Sequence, residues 1–226
     1  MSPPPFRDRT DAGIQLAKAI STTLTQLSAN TVLPPQVVYA LPRGGLPVAL
    51  PVARLLQCPM SAIVAKKITH PKNPELAIGA VTALGNVLWE QSRVPRKPEQ
   101  RQAVLDTALA TAKTQTAQFS PACPDVNLIN GAIAIIVDDG IATGLTMAVA
   151  AQALRMYQPA AIWLCAPVAP PSLLPWLQTW GEVLITLNTP EPFFSVSNFY
   201  ESFEQVSTDE AIACLHQQNE WLNRQN

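Results

Sequence analysis

Four stretches of the chain are apolar almost without a break: QVVYAL (36–41), AIAIIVD (132–138), AAIWLCAPVA (160–169) and EVLITL (182–187). A strand with one wet face alternates apolar and polar side chains. Strands that stay apolar are covered on both faces, the condition of a parallel sheet lying between helices. The segments between these runs support that arrangement. Leu16, Ile20, Leu24 and Leu27 recur at helical spacing behind Thr10 or Asp11, either of which can cap the helix. GGLPVALPVARLLQ (44–57) reads as a second helix, with Pro47 tolerable in its first turn and Pro51 a candidate kink. A long helix opened by Pro98 is expected over 98–119, another over about 143–157, a short one near 171–180 and an amphipathic one over 209–222. SAIVAKK (61–67) reads as a further strand. Residues 68–97 lack a helical period and are expected to be irregular, apart from a two-stranded excursion formed by IGAVT (78–82) and NVLWE (86–90). Strands alternating with helices predict an α/β fold with a central, mostly parallel sheet and helices on both faces.

At 226 residues the chain fits one domain, so 1–226 is expected to be a single unit. Apolar residues make up 48% and charged ones 14%, which is a globular composition and not a disordered one. A formal net charge of −1 supplies no basic field for nucleic acid or an acidic membrane, so neither is an expected partner. No apolar run approaches the roughly 18 residues a membrane span needs. MSPPPFRDRTDAG lacks the apolar core of a secretion signal, and a cytoplasmic location is the expectation. Cys58, Cys123, Cys165 and Cys214 are widely spaced, and with only His70 and His216 beside them no zinc-ligand pattern exists. Cys165 reads as a core residue, and Trp163, Trp176 and Trp180 as packing.

The most informative stretch is where the most apolar run meets two acids and a small-residue loop: VDDGIATGLT (137–146). A P-loop would need GxxxxGK[ST], a dinucleotide fingerprint GxGxxG, and neither is present. A phospho-acceptor receiver also pairs acids, but on its first strand. Gly140, Ile141, Ala142, Thr143, Gly144, Leu145 and Thr146 stand where a strand hands over to a helix. Small residues let the backbone wrap an anion, main-chain N–H groups point inward, and the helix N-terminus adds its positive end. Such a loop suits a phosphate monoester. Asp138 and Asp139 would repel that phosphate, but two carboxylates suit two vicinal hydroxyls close to it. A phosphate one sugar away from a diol is ribose 5-phosphate. The plain alternative, that the acids only cap the next helix, needs one carboxylate and leaves the second unexplained.

VDDGIATGLT resembles the phosphoribosyl-diphosphate (PRPP) motif of the type I phosphoribosyltransferases. LPRGG (41–45) resembles that family's pyrophosphate loop, and FRDRTDAG (6–13), KKITHPKNPELAIGAV (66–81) and PFFSVSNFY (192–200) resemble a bacterial branch with no assigned acceptor. The resemblance implies the type I phosphoribosyltransferase fold with a flexible loop and a hood. It implies Asp138 and Asp139 on the ribose hydroxyls as the catalytic pair, with Asp139 also able to assist deprotonation of the acceptor. The stretch from Gly140 to Thr146 would hold the 5′-phosphate. Arg43, Gly44, Gly45 and Lys67 would hold the pyrophosphate, although the sequence leaves open which of Lys66 and Lys67 faces the site. Family members often keep a strained peptide in the pyrophosphate loop. Mg²⁺ would be carried mainly by PRPP oxygens, without a dedicated protein ligand. Residues 68–97 match the flexible lid in position, residues 186–206 form part of the hood, and a homodimer is the family's usual assembly. The same resemblance admits a protein that senses PRPP or a nucleotide without catalysing.

The hood bears on the acceptor. After Arg155 there is one basic residue, Arg224, against seven acids: Glu182, Glu191, Glu201, Glu204, Asp209, Glu210 and Glu220. Family members that take hypoxanthine or guanine use a hood lysine, and those that take orotate need a cation for its carboxylate; neither is available here. Glu191, Ser195, Ser197, Asn198, Tyr200 and Glu201 are expected to face the acceptor, which favours a neutral or protonatable nitrogen compound. Phe193, Phe194 and Phe199 either offer it a stacking face or pack the hood.

Overall fold

The computed structural model describes residues 4–29 and 31–225; Met1 to Pro3, the start of the proline-rich lead, lie outside them. Its strands are β1 (Gln36–Ala40), β2 (Met60–Ala62), β3 (Ala65–His70), β4 (Asn73–Thr82), β5 (Val87–Trp89), β6 (Ile133–Val137), β7 (Ala161–Val168) and β8 (Val183–Asn188). Its helices are α1 (Arg9–Ser28), α2 (Gly45–Leu56), α3 (Pro98–Phe119), α4 (Leu145–Arg155), α5 (Leu174–Leu177) and α6 (Thr208–Gln225). The four apolar runs are β1, β6, β7 and β8. With β2 they form a five-stranded sheet in the order β2-β1-β6-β7-β8, every neighbouring pair parallel.

The sheet has no wet face at its centre, which is why its strands carry no polar alternation. Ile133, Ile135 and Val137 of β6 join Val38 and Ala40 of β1 in a core shared with α1, α2 and α6. Ala134 and Ile136 join Val37 and Tyr39 in a second core, under α4. All five residues of β6 are buried, at 3% exposure or less. Leu16, Ile20 and Leu24 of α1 are buried as their spacing predicts, whereas Leu27 is exposed. The cap of α1 is Asp8, not Thr10 or Asp11: its carboxylate accepts from the Asp11 N–H at 2.8 Å.

Residues 61–67 are not one strand. The chain leaves the parallel sheet after Ala62 and starts a second, antiparallel sheet at Ala65, in the order β3-β4-β5. Ile63 and Val64 at the break are buried, so apolarity runs unbroken through a change of sheet. The two-stranded excursion is present as β4 and β5, with Gly79 opposite Trp89 and Val81 opposite Val87. Residues 68–97 are thus more regular than their polarity suggests, because Ile68, Ile78 and Val81 bury one face of this sheet against Ala108 of α3. Residues 71–75, the turn between β3 and β4 and the first residues of β4, are exposed.

Candidate active site

Ala40 pairs with Val137, so β1 and β6 end together and the loops that leave them stand side by side. Leu41 ties the two loops by donating its N–H to the Val137 carbonyl at 2.9 Å. This is the carboxyl edge of the sheet, where parallel α/β proteins bind ligands. A cleft of about 270 Å³ opens there, lined by Lys67, Asp138, Asp139, Gly140, Ile141, Ala142, Thr143, Gly144 and Thr146, with Met147, Val196 and Phe203 closing it. Lys67, and not Lys66, therefore shares a cleft with the acid pair.

The loop is built as its composition suggests. Ile141 is anchored, donating its N–H to the Val168 carbonyl at 2.8 Å. The N–H groups of Ala142, Thr143 and Gly144 donate to no carbonyl among the described residues, and those opening α4 are free by helix geometry. Gly144 caps α4 at φ 74°, a left-handed conformation that a side chain disfavours, and a Cβ there would lie 2.6 Å from Trp176. Leu145 turns into the core and leaves only its main chain to the loop.

The other predicted residues divide between two places. Gly44 abuts the acids so closely that a Cβ on it would lie 1.9 Å from Asp139 Oδ2, and one on Gly45 would lie 2.7 Å from the Val137 carbonyl oxygen. The Pro42–Arg43 peptide is cis. Arg43, however, does not line the acid cleft. It faces a separate cleft with Lys66, against Thr111, Thr114 and Gln115 of α3. Burial, and then the charge of Arg43, hold the Lys66 amine below its usual range.

Burial and the adjacent Asp139 charge push Asp138 well above the ordinary carboxylate range, opposed by a hydrogen bond from the Asp139 N–H and by the charge of Lys67. That N–H donates to Asp138 Oδ1 at 2.9 Å. Asp139 is gripped from elsewhere. Arg9 donates from Nε to Asp139 Oδ2 at 2.8 Å and from Nη1 to the Glu204 carbonyl at 2.6 Å, and its guanidinium lies 3.8 Å from the Phe203 ring centroid. The Tyr200 hydroxyl donates to the Asp139 carbonyl at 2.5 Å.

The hood departs from expectation in what it presents. Val196 and Phe203 reach the cleft; Glu191, Ser195, Ser197, Asn198, Tyr200 and Glu201 are not among its lining residues. Ser195 bonds instead to Ser197 and Asn198. Phe193 and Phe199 stack on each other with centroids 5.7 Å apart, and Phe194 is exposed. The sequence also hid Arg9 and Phe203. Arg9 lies 130 residues from its partner, and no local pattern signals such a contact.

The phosphoribosyl transferase domain family matches residues 10–175 of this chain. A Mycobacterium tuberculosis protein, provisionally named a phosphoribosyl transferase and found in strains H37Rv and CDC 1551, is 37% identical over 214 residues. The chain belongs to the phosphoribosyl transferase domain family. The aligned part covers 93% of this phosphoribosyl transferase domain chain and 46% of the mycobacterial protein, so the chain spans about half the length of the curated relatives it matches. The crystal structure of TT1426 from Thermus thermophilus superposes with a TM-score of 0.76 at 28% identity, over 94% of this chain and 98% of that one. Among the described residues, no helix of this phosphoribosyl transferase domain is long and apolar enough to cross a membrane.

Proposed function

We propose that the chain is a Mg²⁺-dependent phosphoribosyltransferase that moves the 5-phosphoribosyl group of PRPP to a neutral nitrogen acceptor and releases pyrophosphate. The observation that carries this reading is the single cleft in which two adjacent carboxylates, a lysine and a loop of unspent N–H donors meet. The loop 140–146 holds the 5-phosphate, with Thr143 and Thr146 adding hydroxyl donors. Asp138 and Asp139 accept from the ribose hydroxyls. The bond from the anomeric carbon to pyrophosphate breaks as the bond to the acceptor nitrogen forms, and the nitrogen's proton passes to the acid pair. Gly44 and Gly45 let the backbone approach the departing pyrophosphate, and Lys67 faces it. Arg43 and Lys66 line a separate cleft, from which they favour the leaving group's charge only at longer range.

The donor set fits a hard cation held chiefly by substrate. Asp138 and Asp139 are the carboxylates of the cleft, and among the described residues no group of three metal-ligating side chains exists. Mg²⁺ is typically bound through one or two carboxylates plus phosphate oxygens. Bound so, it would neutralise charge on the leaving pyrophosphate. The remaining rate enhancement comes from positioning and from exclusion of water, for which the exposed β3–β4 hairpin tip, 71–75, beyond Lys67 is the segment able to close.

The acceptor is read from the hood. Val196 and Phe203 give the cleft an apolar, partly aromatic wall, and Arg9 of α1, which the hood holds in place, is already paired with Asp139. Val196 and Phe203 offer an anionic acceptor no charge, and Lys67 is taken by the pyrophosphate in this reading, whereas a flat neutral base can stack on them. The test is pyrophosphate release with PRPP and Mg²⁺ across orotate, hypoxanthine, guanine, xanthine, adenine and cytosine. Turnover is expected with the amino-substituted bases adenine or cytosine. Efficient turnover of orotate or xanthine would overturn the acceptor reading, and tight PRPP binding without any turnover would identify a sensor.

A further inference from the structure

The acid pair is not symmetric in its surroundings. Asp138 has Lys67 of β3 near it across the cleft, while Asp139 is paired with Arg9 of α1. The Arg9 and Asp139 side chains are 11% and 17% exposed, so their ion pair is far less screened than one on the surface. Asp139 Oδ2 is doubly confined, by the Arg9 Nε and by Gly44, whose absent Cβ leaves it room. Among the described residues no donor reaches the other oxygen, Oδ1, although Asp139 lines the cleft.

Arg9 is itself fixed by the hood. Phe6 donates its N–H to the Phe199 carbonyl at 3.2 Å, and the Glu201 and Ser202 N–H groups donate to the carbonyls of Phe6 and Arg7, each at 2.8 Å. The guanidinium rests on Phe203 and donates to the Glu204 carbonyl. Tyr200 holds the main chain of Asp139 from the same side. Arg9 and Tyr200 thus hold a single aspartate, with Phe203 and Glu204 holding Arg9 in turn, and Phe203 also forms a wall of the cleft.

We propose that Arg9 is a positioning residue: it turns Asp139 so that Oδ1 meets a ribose hydroxyl and links that contact to the hood that receives the acceptor. This rests on the phosphoribosyl-transfer reading of the cleft. A division of labour follows. Asp139 is committed to a cation and holds the sugar, while Asp138 lines the same cleft without an arginine partner among the described residues.

The test uses the full chain with Arg9→Gln and Arg9→Lys, each checked for folding by circular dichroism. In the ligand-free protein, carboxyl-carbon NMR follows the first protonation of the acid pair, which faces Lys67, Arg9 and the Tyr200 hydroxyl. Removing a cation favours protonation, so Arg9→Gln should move that step to higher pH, and Arg9→Lys should leave it near wild type. Calorimetry with Mg²⁺ and PRPP should show affinity lowered roughly 10-fold or more in Arg9→Gln, and lowered less in Arg9→Lys. An unmoved titration, or wild-type PRPP affinity in Arg9→Gln, overturns the proposal. Failure of the wild type to bind PRPP sinks the transferase reading instead, and the titration still decides whether Arg9 governs the pair. Should Arg9→Gln not fold, Arg9→Lys carries the binding test alone. An ammonium cannot reproduce the fork to Asp139 and Glu204, so wild-type PRPP affinity there also overturns the proposal.

Discussion

Asp138 illustrates how a buried carboxyl works against the folded state. Burial and the Asp139 charge make the folded protein hold the Asp138 proton more tightly than the unfolded chain does. A group raised in this way gives its full stabilisation below the ordinary carboxylate range, near pH 3.9, and loses it as pH rises through its raised folded range. At neutral pH the buried acid is therefore a burden that a neutral isostere lacks. Asp138→Asn keeps an oxygen to accept from the Asp139 N–H, so its hydrogen bond survives. The variant should melt higher than the ligand-free wild type at pH 7 and lose that advantage by about pH 4. For a chain of this size each kcal/mol gained raises the midpoint by roughly 2–4 °C. Melting curves between pH 4 and 8 check this, and parallel pH dependences of the two proteins would refute it. Turnover should fall at the same time, since the carboxylate is gone.

At the scale of elements, the loop after β1 and the acid loop after β6 act as one part because the two strands end in register. Gly44 is where they touch. Gly44→Ala would place a methyl group inside van der Waals contact of Asp139 and must displace that carboxylate from Arg9. Overpacking of this kind costs about 1–3 kcal/mol, and PRPP affinity should drop at least about 10-fold if the displaced carboxylate binds the sugar. Calorimetry and melting read the two effects separately, and unchanged PRPP affinity would remove Asp139 from the sugar site. The elements themselves were legible where their signals are local. α3 runs from Pro98 to Phe119, as its opening proline and composition imply, and β6 is the most apolar run. The break between β2 and β3 was not legible, because Ile63 and Val64 are equally apolar whichever sheet they join. The inward face of the hood was not legible for a related reason. Val196 and Phe203 face the cleft from a stretch rich in serine, asparagine and glutamate, and an irregular segment has no period to say which side chains turn inward.

At the scale of the whole molecule, residues 6–9 and 196–204 come together over the carboxyl edge of the sheet, so the cleft is completed by segments far apart in sequence. Phe6 is the pin. It is fully buried, pairs with Tyr200 with ring centroids 5.3 Å apart, and shares a cluster with Val196, Phe199 and Phe203. Leu16 is buried to the same degree but belongs to the core between α1, α2 and the sheet. Phe6→Ala should cost about 3–5 kcal/mol and Leu16→Ala about 2–5 kcal/mol, so the two substitutions are comparable as injuries to the fold. Their effects on ligand binding should differ. Phe6→Ala loosens the segment that carries Arg9 and the ring packed on Tyr200, and so frees Asp139 on two sides. Leu16→Ala leaves those contacts alone. Measured at a temperature where both variants remain folded, PRPP affinity should fall in Phe6→Ala and stay near wild type in Leu16→Ala. Equal losses would show that binding tracks global stability and that the hood does not act on the acid pair through Phe6.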